Sequence, residues 1–106
     1  MSDRLNQLKL MLDQDPNDSF ITYAIAKEYE KLDQLKNALD TYISLMNNDP
    51  EYVGLYYHLG QLYEQLDEND KAMEIYESGI LIAKKQSDFH ALSELNGVKT
   101  NLEMDL

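Results

Sequence analysis

Cysteine is missing from this 106-residue chain, and only four glycines and two prolines punctuate it. Without a thiol there is no disulfide framework, no thiolate metal site and no cysteine nucleophile, which removes redox chemistry. So little Gly and Pro leaves an all-β fold short of turns, whereas the abundant Leu, Ala, Glu, Lys and Gln favour helix. Long apolar runs are absent too. The first eight residues, Met1 to Leu8, lack a signal-peptide core, and no stretch reaches bilayer-spanning length, so a cytoplasmic protein without a membrane segment is expected. Basic residues are scarce: nine Lys and Arg stand against twenty Asp and Glu, a formal net charge of −11. Such a chain repels phosphate backbones, so nucleic acid is not an expected partner. The acidic charge either confers solubility or steers a basic partner, and composition alone leaves both open.

What is present is the balance of a folded protein, with 43% hydrophobic and 27% charged residues in a length suited to one domain. Self-similarity is the strongest pattern. Asp15-Pro16 recurs as Asp49-Pro50, an offset of 50 − 16 = 34 residues. In the same register Tyr23 falls on Tyr57, Tyr29-Glu30 on Tyr63-Glu64, Leu32-Asp33 on Leu66-Asp67, Ala38 on Ala72, Tyr42 on Tyr76 and Ser44 on Ser78. A fixed period of this size marks a repeat architecture.

Within each period the apolar residues recur at three- and four-residue spacing. Leu35, Ala38, Leu39, Tyr42 and Met46 form one helical stripe, and Leu55, Leu59, Leu62, Tyr63 and Leu66 another. Polar segments at Asp33-Gln34 and Asp67-Asp70 interrupt the stripes, so each period predicts two antiparallel helices and a short turn. The pattern predicts helices over about 3–14, 19–32, 35–47, 52–66, 69–84 and 88–103. Asp18 or Ser19, Asp49, and Ser87 or Asp88 are the expected N-caps, with Pro16 and Pro50 between helices.

The second period, Tyr56-x2-Leu59-Gly60-x2-Tyr63 followed by Ala72-x3-Tyr76, resembles the tetratricopeptide repeat motif W-x2-L-G-x2-Y, A-x3-F, P. The first, Thr22-x2-Ile25-Ala26-x2-Tyr29, Ala38-x3-Tyr42, Pro50, keeps the spacing but not the leading aromatic. The resemblance implies a single all-α domain, a right-handed α-solenoid of about six helices. Its parts would be a half repeat over residues 1–18, repeats over 19–52 and 53–86, and a capping helix over 87–106. Ala26 and Gly60 would be small where the hairpin helices cross, facing Ala38 and Ala72; Tyr29, Tyr42, Tyr63 and Tyr76 would be core. Leu8 and Met11 would lie on the half repeat's helix, and Phe89, Leu92, Leu95, Val98 and Leu102 would form the cap's apolar face unless Asn96-Gly97 ended that helix early.

The resemblance also implies a ligand site, a concave groove lined from the first helix of each repeat. Its residues would be Phe20, Tyr23, Lys27, Glu30 and Lys31, then Gly54, Tyr57, Gln61, Glu64 and Gln65, with Asp88, Ala91, Leu95, Val98 and Lys99 from the cap. The Lys, Asn and Arg set with which chaperone-binding members grip a terminal carboxylate is missing apart from Lys27. Tyr23 and Tyr57 either anchor a ligand or stack on each other as neighbours in the solenoid.

Nothing in the sequence assembles a catalytic centre. His58 and His90 have no ligand partner at metal-binding spacing, and the acidic runs at 13–18 and 67–70 lack the Gly and terminal Glu of a calcium loop. No nucleophile elbow or phosphate-cradling glycine loop occurs. The expectation is a non-enzyme with no cofactor and no metal: a module that binds a protein or peptide, amphipathic and with some basic character. The alternative is a scaffold subunit that forms a homo-oligomer.

Overall fold

A computed structural model describes residues 2–105. These form six helices and no strand: α1 (Asp3–Gln14), α2 (Ser19–Lys31), α3 (Leu35–Asn48), α4 (Gly54–Gln65), α5 (Asn69–Gln86) and α6 (Phe89–Asp105). The chain divides into two compact units, one ending at Tyr52 and the other beginning at Val53. In the first, α2 packs against α1 and α3; in the second, α5 packs against α4 and α6, and α6 also touches α4.

Local chemistry sets where the helices start and stop. The Asp18 carboxylate accepts the Ile21 N–H at 2.9 Å to start α2, Asp88 accepts that of Ala91 at 3.0 Å to start α6, and Ser2 caps α1 through Leu5. Asp49 is not the N-cap expected of it. It ends α3, and its carbonyl accepts the Tyr52 N–H in a turn that delays α4 to Gly54, while its carboxylate accepts the Ser19 hydroxyl at 2.6 Å. Both hairpin turns place an aspartate, Asp33 and Asp67, at φ 59°. Short polar side chains tolerate that left-handed conformation, which lets the next N–H reach back to Tyr29 and Tyr63, at 2.9 and 2.8 Å.

The core follows the repeat. Leu5, Leu8, Ile21 and Ile25 form one cluster, Tyr42 and Leu45 are buried on α3, and Leu55, Leu59, Leu62 and Tyr76 are fully buried in the second unit. Ala26, Ala38 and Ala72 are likewise inaccessible. At Gly60 the close approach comes from a ring and not from Ala72: a Cβ there would lie 2.1 Å from Tyr76.

Leu8 and Met11 both lie on α1 as expected, Leu8 buried and Met11 50% exposed. Two expectations need correction. Phe89 is 74% exposed, because α6 starts at that residue and buries Leu95 and Leu102 instead. Leu66, just past α4, is 38% exposed and not part of the core. The last helix follows its expected span and not the alternative early end: α6 runs through Gly97 to Asp105, and a Cβ at Gly97 would meet nothing within 4 Å.

Candidate functional site

Phe20, Tyr23, Lys27 and Lys31 are spaced by three, four and four residues, which lays them along one face of α2. Together with Arg4 of α1, Ala24 and Glu28 they line a cleft of about 410 Å³. Phe20 stands 67% exposed at its edge. Tyr23 is half-buried, its ring held 5.2 Å from that of Tyr52 and 6.4 Å from that of Tyr42, and the Lys27 ammonium sits 5.5 Å from its centroid.

Glu28 is the carboxylate among the residues lining the cleft, and it is buried. The Ser2 hydroxyl donates to it at 3.0 Å and the Arg4 Nε lies 3.8 Å away, while most of the Arg4 side chain remains in solvent. Three cations against one occupied carboxylate give this cleft the opposite sign to the chain as a whole. A larger hollow of about 520 Å³ opens elsewhere in the same unit, with Ile25, Tyr29 and Leu45 among its lining and Ser, Thr and Asn around them. None of the expected groove residues lines it, and Lys9 and Asp40 balance its charge.

Two expected ligand carboxylates are already engaged. The fully buried Tyr42 donates its hydroxyl proton to Glu30, and Tyr76 donates its own to Glu64. Gln61 completes the second network, donating to the Tyr76 oxygen at 2.6 Å and to Glu64 at 3.2 Å. Burial, reinforced by the adjoining carboxylate, pushes both phenols far above the ordinary tyrosine range. Tyr57 is half-buried beside His58, with centroids 5.3 Å apart, and Gln65 is exposed.

Leu95 is 1% exposed and leaves the candidate set, since it packs with Tyr56 over Gly79, where an added Cβ would lie 2.5 Å from the Tyr56 Cβ and 3.1 Å from the Leu95 Cδ1. Of the other cap positions, Asp88 is spent on capping α6, and Lys99 faces Glu77 at 3.8 Å. Arg4 is the residue that sequence reasoning missed. The signal was available: 34 and 68 residues on from Arg4 stand Ala38 and Ala72, so an arginine occupies a position that both other repeats give to a buried alanine. Among the described residues no three His, Cys, Asp or Glu side chains gather as a metal site, and no helix is long and apolar enough to cross a membrane.

A family model described as tetratricopeptide repeat matches residues 31–95. A tetratricopeptide repeat domain protein of Salinibacter ruber is 44% identical and superposes with a TM-score of 0.79, over 81% of this chain and 96% of that one. Two solved complexes share the fold at 15% identity and a TM-score of 0.88. PcrH with the chaperone binding region of PopD covers 97% of this chain and 78% of that one; the TPR2B domain of yeast Sti1 with pHsp70 covers 96% and 82%. No curated protein matches the sequence.

Proposed function

The chain belongs to the tetratricopeptide repeat family, and on that premise we propose that it is a non-catalytic module holding a peptide or helix of a partner protein on the exposed faces of α2 and α4. The observation that carries this reading is the α2 cleft. Its walls combine an exposed phenylalanine, a tyrosine braced by two further rings, and three exposed cations, the mixture found at protein-binding hot spots. The α4 face offers Tyr57, Gln61 and Gln65 at the equivalent positions, with Gln61 and Glu64 tied to Tyr76. Fold-sharing structures solved with a region of PopD and with pHsp70 support the reading by analogy.

A direct test immobilises the wild-type chain and a Tyr23→Ala/Tyr57→Ala variant and quantifies by mass spectrometry what each retains from lysate. Loss of two aromatic anchors should weaken capture by about 2 kcal/mol or more. Helicity should be retained; melting should fall somewhat, because Tyr23 packs on Tyr42 and Tyr52, so capture is compared well below both transitions. Equal capture by both forms would place binding elsewhere, and no enriched protein with either would refute the reading.

One observation favours the scaffold alternative. Phe89, Ser93, Gly97, Thr100 and Met104 run along one exposed stripe of α6, with both ends more than 70% accessible and open space over Gly97. Light scattering across a concentration series decides it: rising mass supports self-association, and constant monomer mass excludes it.

A further inference from the structure

We infer that the segment received by the α1–α2 cleft is acidic: a peptide presenting at least two Asp or Glu side chains beside one aromatic or aliphatic anchor. This rests on the reading of the chain as a protein-binding module, and it reverses the partner charge that the overall composition suggests. The chain has nine basic residues, and three of them, Arg4, Lys27 and Lys31, line this one cleft. Lys27 and Lys31 are one turn apart on the same face, both exposed, and neither makes an ion pair among the described residues. Glu28 does not neutralise them, because it is buried and turned to Arg4 and Ser2. Glu30, the next carboxylate on α2, is held by the Tyr42 hydroxyl.

Arg4 keeps most of its donor capacity. Its Nε lies 3.8 Å from Glu28 and 64% of its side chain is accessible, so terminal N–H groups in solvent can form a two-pronged bond to an incoming carboxylate. Phe20 supplies the apolar contact at the cleft edge, and Tyr23 the aromatic floor. A basic segment laid in the same place would set its cations against three fixed ones, a like-charge arrangement that interfaces use to reject partners. The net charge of −11 does not override this at physiological salt, where screening over about 8 Å leaves the nearest charges dominant.

The test is selection of random 12-residue peptides displayed on phage against the full chain at 0.15 M salt, followed by titration of synthetic copies into three charge variants. Recovered peptides should carry more Asp and Glu than Lys and Arg, and Lys27→Glu/Lys31→Glu should weaken them at least tenfold. Lys36→Glu/Lys84→Glu, with the same change in net charge, should leave them within about twofold. Lys27→Gln/Lys31→Gln gives the intermediate loss and guards against a folding defect, with circular dichroism as the check. Recovery of basic or neutral peptides, or equal binding of acidic ones by the cleft variant, would overturn the acidic assignment while leaving the module intact. A dimer dissolved by Lys27→Glu/Lys31→Glu would put a second copy in the cleft and overturn it as well. Enrichment of no peptide above an unrelated control protein would overturn both readings.

Discussion

Tyr42 and Tyr76 have no accessible surface, yet each donates a hydrogen bond to a carboxylate twelve residues earlier, on the other helix of its hairpin. Changing either to Phe keeps the ring packing and removes a charge-assisted bond, which should cost about 1.5 kcal/mol by chemical denaturation. The same pairs make the fold sensitive to alkali. Burial, with the adjoining carboxylates, raises both folded-state pKa values above the ordinary 10.0, and Tyr52 is raised too, by burial and then by Asp18 and Asp49. Above about pH 10 the unfolded chain loses these protons and the folded chain keeps them, so each buried phenol should lower stability by about 1.4 kcal/mol per pH unit; below that pH its contribution is intact. Denaturation midpoints at pH 9, 10 and 11 should therefore fall steeply, and less so in Tyr42→Phe/Tyr76→Phe. The glycines give a second contrast. Gly60→Ala drives a methyl into the Tyr76 ring and should cost about 1–3 kcal/mol, whereas Gly97→Ala, in open space, should raise stability by about 1 kcal/mol. Tyr42, Tyr63 and Tyr76 were legible as core from the repeat, whereas Tyr29, expected beside them, is only half-buried; the Glu30–Tyr42 and Glu64–Tyr76 bonds were signalled by a pair of constant spacing in the same register. Family register alone assigned those glutamates to ligand, because position on a helix does not reveal which neighbour claims a side chain.

Among the elements, helix existence and order were written in the 34-residue period, and every end falls within two residues of its expected place. Caps were legible only where a side chain acts. Asp18→Ala and Asp88→Ala should each cost about 1 kcal/mol in a thermal melt, whereas Gln34→Ala and Glu68→Ala should change little, since α3 and α5 have no side-chain cap bond and the Glu68–Lys71 pair is exposed. Equal losses at all four sites would contradict the cap geometry. The failures share a cause: the helical period gives the spacing of apolar residues but not which of them a neighbouring helix covers. Placed by the period alone, Phe89 belonged to the apolar face of the cap and Leu95 to both that face and a ligand groove, but α6 turns Leu95 and Leu102 inward and leaves Phe89 in solvent. Gly79 makes room for Tyr56 of α4 and Leu95 of α6, and this meeting of three helices has no local sequence signal.

For the molecule as a whole, composition announced acidity but not its distribution. The net charge of −11 suggested a basic partner, while the residues facing the α2 cleft carry the reverse sign because Arg4, far away in sequence, folds back beside Lys27 and Lys31. Long-range contacts of this kind lie beyond periodicity, although the arginine at an otherwise alanine position marked the place. The central claim is that a partner segment is held on the exposed first-helix faces of the two repeats. Its most direct test is a two-dimensional amide NMR titration of the full chain with a selected peptide. The largest shifts should fall at Phe20, Tyr23, Lys27 and Lys31 on α2, with Tyr57 and Gln61 moving on α4, while the exposed residues of α3 and α5 stay in place. Shifts concentrated on α3, α5 or the outer stripe of α6, with α2 unmoved at saturation, would contradict it.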